Sequence, residues 1–261
     1  MGPVTIDWVV SVSMPISQQP LGPGQWQVLE GCDAPLRCWW APSGGTESVR
    51  ERCVLVLPEV FGVNAWVRGV ADRLAAEGVS ALAMPLFART APALDLAYDA
   101  DSLAEGRSHK ERTTLEGILA DVEVAADWLR RQGCERLSVV GFCFGGHAAL
   151  LAATLPQVRS SIDFYGAGVC QSRPGGGAPS LELLAQVPGR LTCICGTADP
   201  LIPESDQQQI AAALLAQDPL GTRMRYVAMP GADHGFMCEA RSSFHPVSAE
   251  LGWDVLLKSL A

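Results

Sequence analysis

Short apolar runs alternate with longer stretches of helical spacing along most of the chain. "RCVLVL", "VSALAMP", "RLSVV", "SSIDFYG", "RLTCICG" and "RMRYVAM" are apolar blocks in which polar positions do not alternate with apolar ones. Such blocks predict strands buried on both faces, as in a parallel sheet. Between them, "AWVRGVADRLAAEG", "TTLEGILADVEVAADWLRRQG", residues 144–155, "ESDQQQIAAALLAQ" and a closing stretch near 249–260 have the spacing of helices. Gly78 and Gly133 stand where two of these helices should stop, and Thr113-x-x-Glu116 reads as a capping box at the start of the second. Ahead of this alternation, "QWQVLEGCDAPLRCWWAP" predicts two short strands around a turn at 31–34. Residues 86–110 show little periodicity and predict a long, partly helical surface excursion. The expected class is α/β, a mostly parallel central sheet with helices on both faces.

Residues 1–23, closed by Pro20 and "GPG", read as an N-terminal arm, and residues 24–261 as one domain. A domain of this size buries enough surface to hold a rigid site without metal or disulfide staples. No apolar run approaches the roughly 20 residues that span a bilayer. The first residues carry Asp7 and no basic start, so they do not read as a signal peptide, and a cytoplasmic location is expected. The net charge of −9 disfavours nucleic acid and membrane partners and leaves a small molecule as the expected one. The nine cysteines contain no CxxC pair, so neither a structural zinc site nor any other metal or cofactor is expected. Most of them read as small apolar core residues.

Cys143 is the exception. "SVVGFCFGGHAAL" places it between two glycines at a strand-to-helix turn, in the G-x-nucleophile-x-G pattern of a nucleophile elbow. The sharp turn needs small flanking residues. It also sets the thiol at a helix N-terminus, where the dipole favours a thiolate. "GTADPLIP" puts Asp199 just after one predicted strand, and "GADHGF" puts His234 just after another. The order nucleophile, acid, histidine is that of the α/β-hydrolase fold. His234 could exchange a proton with the thiol while Asp199 fixes its tautomer. Taken singly, Asp199 could be a helix cap and His234 a plain loop histidine. Both lie where an open α/β sheet binds ligands, beyond the carboxyl ends of its strands.

"PEVFGVNAWVR", "PLFARTAP", "GFCFGG", "GTADPLIP" and "GADHGF" together resemble the dienelactone hydrolase family, from about Gln25 to the C-terminus. The resemblance implies a cysteine-dependent hydrolase of lactones or activated esters that works through a thioester. It implies that Glu59 contacts the resting thiol and takes its proton when substrate arrives. It further implies an oxyanion hole from the backbone N–H groups of Val60 and Phe144, and substrate binding by Arg89. The family's second substrate arginine falls at Cys238 here, which leaves the substrate less certain than the reaction class; Arg241 is nearby in sequence. Two other readings stay open. One is an esterase or thioesterase of different acyl specificity; the other is a non-catalytic binding or redox-sensing protein. The oligomeric state is not legible.

Overall fold

The computed structural model describes residues 24–31, 33–44 and 51–260, so the expected arm at 1–23 lies outside the described residues. Its centre is an eight-stranded sheet in the order β1-β2-β4-β3-β5-β6-β7-β8. β1 (Gln25–Leu29) and β2 (Leu36–Ala41) form the expected hairpin, and β2 runs antiparallel to β4 (Ser80–Ala83). From β4 onward the sheet is parallel through β3 (Arg52–Leu57), β5 (Arg136–Phe142), β6 (Val158–Phe164), β7 (Arg190–Gly196) and β8 (Met224–Met229). The mostly parallel α/β sheet read from the apolar blocks is the one observed.

Helices α1 (Ala65–Ala76), α3 (Leu115–Arg131), α4 (Phe144–Ala152), α5 (Glu204–Gln217) and α6 (Pro246–Leu260) occupy the predicted spans within a few residues. The α3 cap differs. Its N-cap is Thr114, whose Oγ1 accepts from Gly117 N, whereas Thr113 donates its hydroxyl to His109 O. Glu116 therefore sits one position too early to complete a capping box.

The stretch 86–110 also differs from a surface excursion. Leu86, Phe87 and Ala88 are buried, and residues 100–110 form a full helix, α2 (Ala100–Lys110). Only Gly106 and His109 of α2 are buried, so its sequence carries no apolar stripe to announce it. Gly106 is what docks it, because a Cβ there would lie 2.2 Å from Val60 O.

Chain order reverses direction across the sheet between β3 and β5, since β4 lies to one side and β6–β8 to the other. That is a topological switch point, where the loops leaving the strands separate and open a crevice. Glu59 follows β3 and Cys143 follows β5 on its two sides.

Candidate active site

The turn from β5 into α4 is tight enough to fix its own sequence. A Cβ on Gly141 would sit 1.8 Å from Gly145 O, and one on Gly145 would sit 2.2 Å from Leu57 O. Strand, turn and helix cross at backbone contact, which only glycine allows at these two positions. Cys143 itself has φ 56° and ψ −118°, a strained conformation for a residue with a side chain. Such backbone costs on the order of 1–3 kcal/mol and persists where the surrounding packing enforces it. The strain presents a half-buried Sγ to a cavity of about 460 Å³.

Asp199 and His234 meet behind the sulfur. His234 Nδ1 donates to Asp199 Oδ2 at 2.8 Å, and both side chains are buried. The other Asp199 oxygen accepts from Leu201 N at 2.8 Å, while the cap of α5 is Pro203, so Asp199 does not cap a helix. His234 Nε2 is buried and, apart from its interaction with Cys143, has no hydrogen-bonded partner. Burial opposes a charged imidazole, but Cys143 and Asp199 outweigh it and hold His234 up to about 10. The ring also packs edge-on against Tyr165, with centroids 5.2 Å apart.

Glu59 is fully buried and accepts from Arg241 Nη1 at 2.7 Å through one oxygen; its other oxygen, Oε2, has no partner. Burial opposes the Arg241 charge, yet Glu59 above all, then Tyr165 and Cys143, keep it more firmly protonated than an ordinary guanidinium. Gly235 makes this possible, because a Cβ there would lie 2.6 Å from the Arg241 guanidinium. Tyr165, at φ 44°, is completely buried with an unpartnered hydroxyl, and burial beside Glu59 keeps it protonated. Glu59, held to the cavity-lining Arg241, and Tyr165, packed on the cavity-lining His234, thus each bring a buried polar atom without a partner up behind the cavity wall. Native proteins tolerate few such atoms, and each one costs on the order of 1–3 kcal/mol.

Val60 and Phe144 both line the cavity with Cys143, and Phe144 opens α4, where N–H groups have no intrahelical acceptor. Arg89 is not brought to it. Its guanidinium grips the buried Asp121 carboxylate at 2.7 and 3.1 Å and donates to Asp33 at 2.9 Å. The expected substrate arginine is therefore held in structural ion pairs. Cys238 is wholly buried, and burial with the nearby Glu59 pushes its thiol well above the ordinary range. The cations that do line the cavity are Arg241, Arg107 and Lys110. Arg107 and Lys110 lie three residues apart on α2, hence on one helix face. No apolar pattern marks α2, so nothing in local spacing singles out either residue. Tyr165 was equally unmarked.

Comparison with known proteins fixes the class. The dienelactone hydrolase family model matches residues 41–261. The chain belongs to that family, which is one of hydrolases. A Synechocystis sp. protein provisionally named carboxymethylenebutenolidase is 36% identical over 203 residues, covering 77% of this chain and 81% of the relative. An Escherichia coli K12 protein with the same provisional name is 30% identical over 208 residues, covering 78% of this chain and 74% of its own. Among solved structures, a Klebsiella pneumoniae protein provisionally named dienelactone hydrolase superposes with a TM-score of 0.80 at 26% identity, covering 91% of this chain and 97% of its own.

Proposed function

We propose that this hydrolase opens lactones or activated esters by nucleophilic attack of Cys143. The observation that carries the reading is the strained, half-buried Cys143 beside an Asp199–His234 pair whose outward ring nitrogen has no other partner. In this reading Glu59 Oε2 takes the thiol proton and Arg241 fixes the carboxylate by its other oxygen. The thiolate adds to the carbonyl, and the new oxyanion rests on the N–H groups of Val60 and Phe144. Collapse breaks the C–O bond, imidazolium at His234 protonates the leaving oxygen, and a thioester remains. Water activated by His234 then adds to the thioester, the C–S bond breaks, the acid product leaves, and the freed thiolate takes its proton back from Glu59. A thiolate suits this substrate class, because the leaving oxygen of a lactone or enol ester needs little further activation.

Arg107 and Lys110 form no ion pair among the described residues, and they supply positive charge at the cavity wall in a chain of net charge −9. They favour an acyl group bearing a carboxylate and take the place first expected of Arg89. An esterase of different acyl specificity is the second reading, favoured by Cys238 at the position of a family arginine. The test is a panel of activated esters and an unsaturated lactone, with intact-mass detection of the acyl adduct. We expect an adduct on Cys143 and no turnover by Cys143→Ala. Native turnover by that variant would remove the covalent route.

A further inference from the structure

A second cavity, of about 280 Å³, opens at the opposite end of the sheet and plays no part in the chemistry above. Arg190, Arg223, Arg225 and Lys258 line it, and no carboxylate does. Four cations line this cavity in a chain with nine more negative than positive charges, and the acids that approach them, Asp254 at Lys258 and Asp218 at Arg223, stand outside its lining. Arg190 and Thr192 lie near the start of β7, whereas Asp199 follows its end. At about 3.3 Å per residue the two cavities are roughly 20 Å apart along the strand.

The sheet register explains the grouping. Ser160 pairs with Arg190, and Thr192 pairs with Arg225, so these four side chains share one face beneath α6. Some of the cations are already committed. Lys258 pairs with Asp254 at 2.6 Å, and Arg223 donates to Val187 O and Gly189 O at 3.3 Å. The Arg225 side chain donates only its Nε, to Gly221 O at 3.2 Å, and the Arg190 side chain makes no hydrogen bond or ion pair among the described residues. At the cavity floor, Ser160 and Thr192 are only 3% and 8% exposed. Neither hydroxyl has a hydrogen-bond partner among the described residues. Cavity-facing hydroxyls without a protein partner, beside the free Arg190 guanidinium and the two uncommitted terminal nitrogens of Arg225, are the donor set of an oxyanion site.

We propose that this cavity binds a phosphate group. Its uncommitted donors come from the hydroxyls of the sheet floor and from the arginines at the starts of two strands. A tetrahedral oxyanion presents oxygens in all of these directions, whereas a planar carboxylate presents two in one plane. The guanidinium forks of Arg190 and Arg225 match two phosphate oxygens each. The group could be inorganic phosphate or the phosphate of a small phosphomonoester.

Thermal unfolding of the whole protein tests this, titrating inorganic phosphate, ribose 5-phosphate, or potassium chloride at matched ionic strength. A ligand that binds only the folded state raises the melting temperature saturably. We expect that rise with phosphate and not with chloride. Arg190→Gln/Arg225→Gln should weaken the apparent affinity at least tenfold, while keeping the melting temperature without phosphate and the turnover of a neutral ester. Ser160→Ala/Thr192→Val should weaken it several-fold; if that pair does not fold, the exposed arginine pair decides alone. Tighter binding of ribose 5-phosphate identifies a phosphomonoester as the source, and equal binding identifies free phosphate. An equal rise in chloride, or undiminished binding by the arginine variant, overturns the proposal.

Discussion

Along β5, the residues from Leu137 to Phe142 are buried apolar or small side chains, and the same holds for Cys53–Leu57 of β3 and Leu191–Gly196 of β7, apart from Thr192. One residue beyond β5 the character changes. Cys143 takes a strained backbone, and Glu59, Tyr165 and His234, just past β3, β6 and β8, bury polar atoms that nothing satisfies apart from the interaction of His234 with Cys143. The interiors of these three strands follow the apolar pattern almost throughout, and the carboxyl rim departs from it in four places around Cys143. Interior residues hold the fold, and the rim spends part of that stability on unsatisfied chemistry. Substitutions should therefore separate cleanly: rim changes should cost rate, and interior changes should cost stability.

After loss of the nucleophile itself, the largest expected effect on rate without loss of fold is at Asp199. Asp199→Asn keeps the shape but removes the carboxylate that orients His234 Nδ1. Positioned acid–base catalysis is worth about 10²–10⁴-fold, so kcat on an activated ester should fall by that much. The melting temperature should stay within a few degrees. An unchanged rate with a lowered melting temperature would make Asp199 a structural residue.

Gly145→Ala reverses that pattern. Its Cβ would meet Leu57 O at 2.2 Å and Pro58 O at 2.5 Å, which are backbone atoms with nowhere to retreat. Overpacking of this kind costs about 1–3 kcal/mol or more. A lowered urea midpoint should accompany it, with any loss of rate following from misfolded protein. A native midpoint would mean that the elbow is looser than these contacts imply.

The pH dependence sharpens the comparison further. His234 is held up to about 10, against 6.5 for a free imidazole, by its rim neighbours Cys143 and Asp199. The raised value means that imidazolium, the form that protonates the leaving group, is present below that pH and lost as pH rises through it. The alkaline limb of kcat/KM should therefore lie near 10, and Asp199→Asn should move it downward. A limb near 6.5 in the native protein would show that the neighbours do not hold the charge.

The comparison also explains what could be read in advance. Buried strands leave continuous apolar blocks, and so the sheet, its helices and the elbow were legible from local pattern. Gly141 and Gly145 carry the mark of the backbone crossing, and Asp199 and His234 were legible because they follow strands directly. Arg107 and Lys110 were not. Their helix docks by one small residue, Gly106, against the backbone of Val60, and a single glycine is a weak signal. Arg241 reaches the cavity over Gly235, a clearance that depends on the fold and not on spacing. Arg89 is the reverse case. Its position in "LFARTAP" suggested a substrate contact, but its partner Asp121 lies on α3, 32 residues away, where no local pattern could pair them.

The smallest expected effect on catalysis belongs to that arginine. Arg89 is spoken for by Asp121 and Asp33, and lies outside the cavity lined by Cys143. The Asp33 pair is exposed and should contribute little, in the range of 0–1 kcal/mol. Asp121 is different, because its side chain is 2% exposed, and removing Arg89 leaves a buried carboxylate without its cation. Leaving such a group unsatisfied costs about 1–3 kcal/mol. Arg89→Gln should thus lower the urea midpoint while kcat and KM for anionic and neutral esters both stay within about twofold. Arg107→Gln/Lys110→Gln should do the opposite, raising KM for the anionic ester about tenfold or more, at native stability and with the neutral ester unchanged. If Arg89→Gln instead raises KM selectively for the anionic ester, the ion pairs open when substrate binds, and the division between interior and rim fails at this residue.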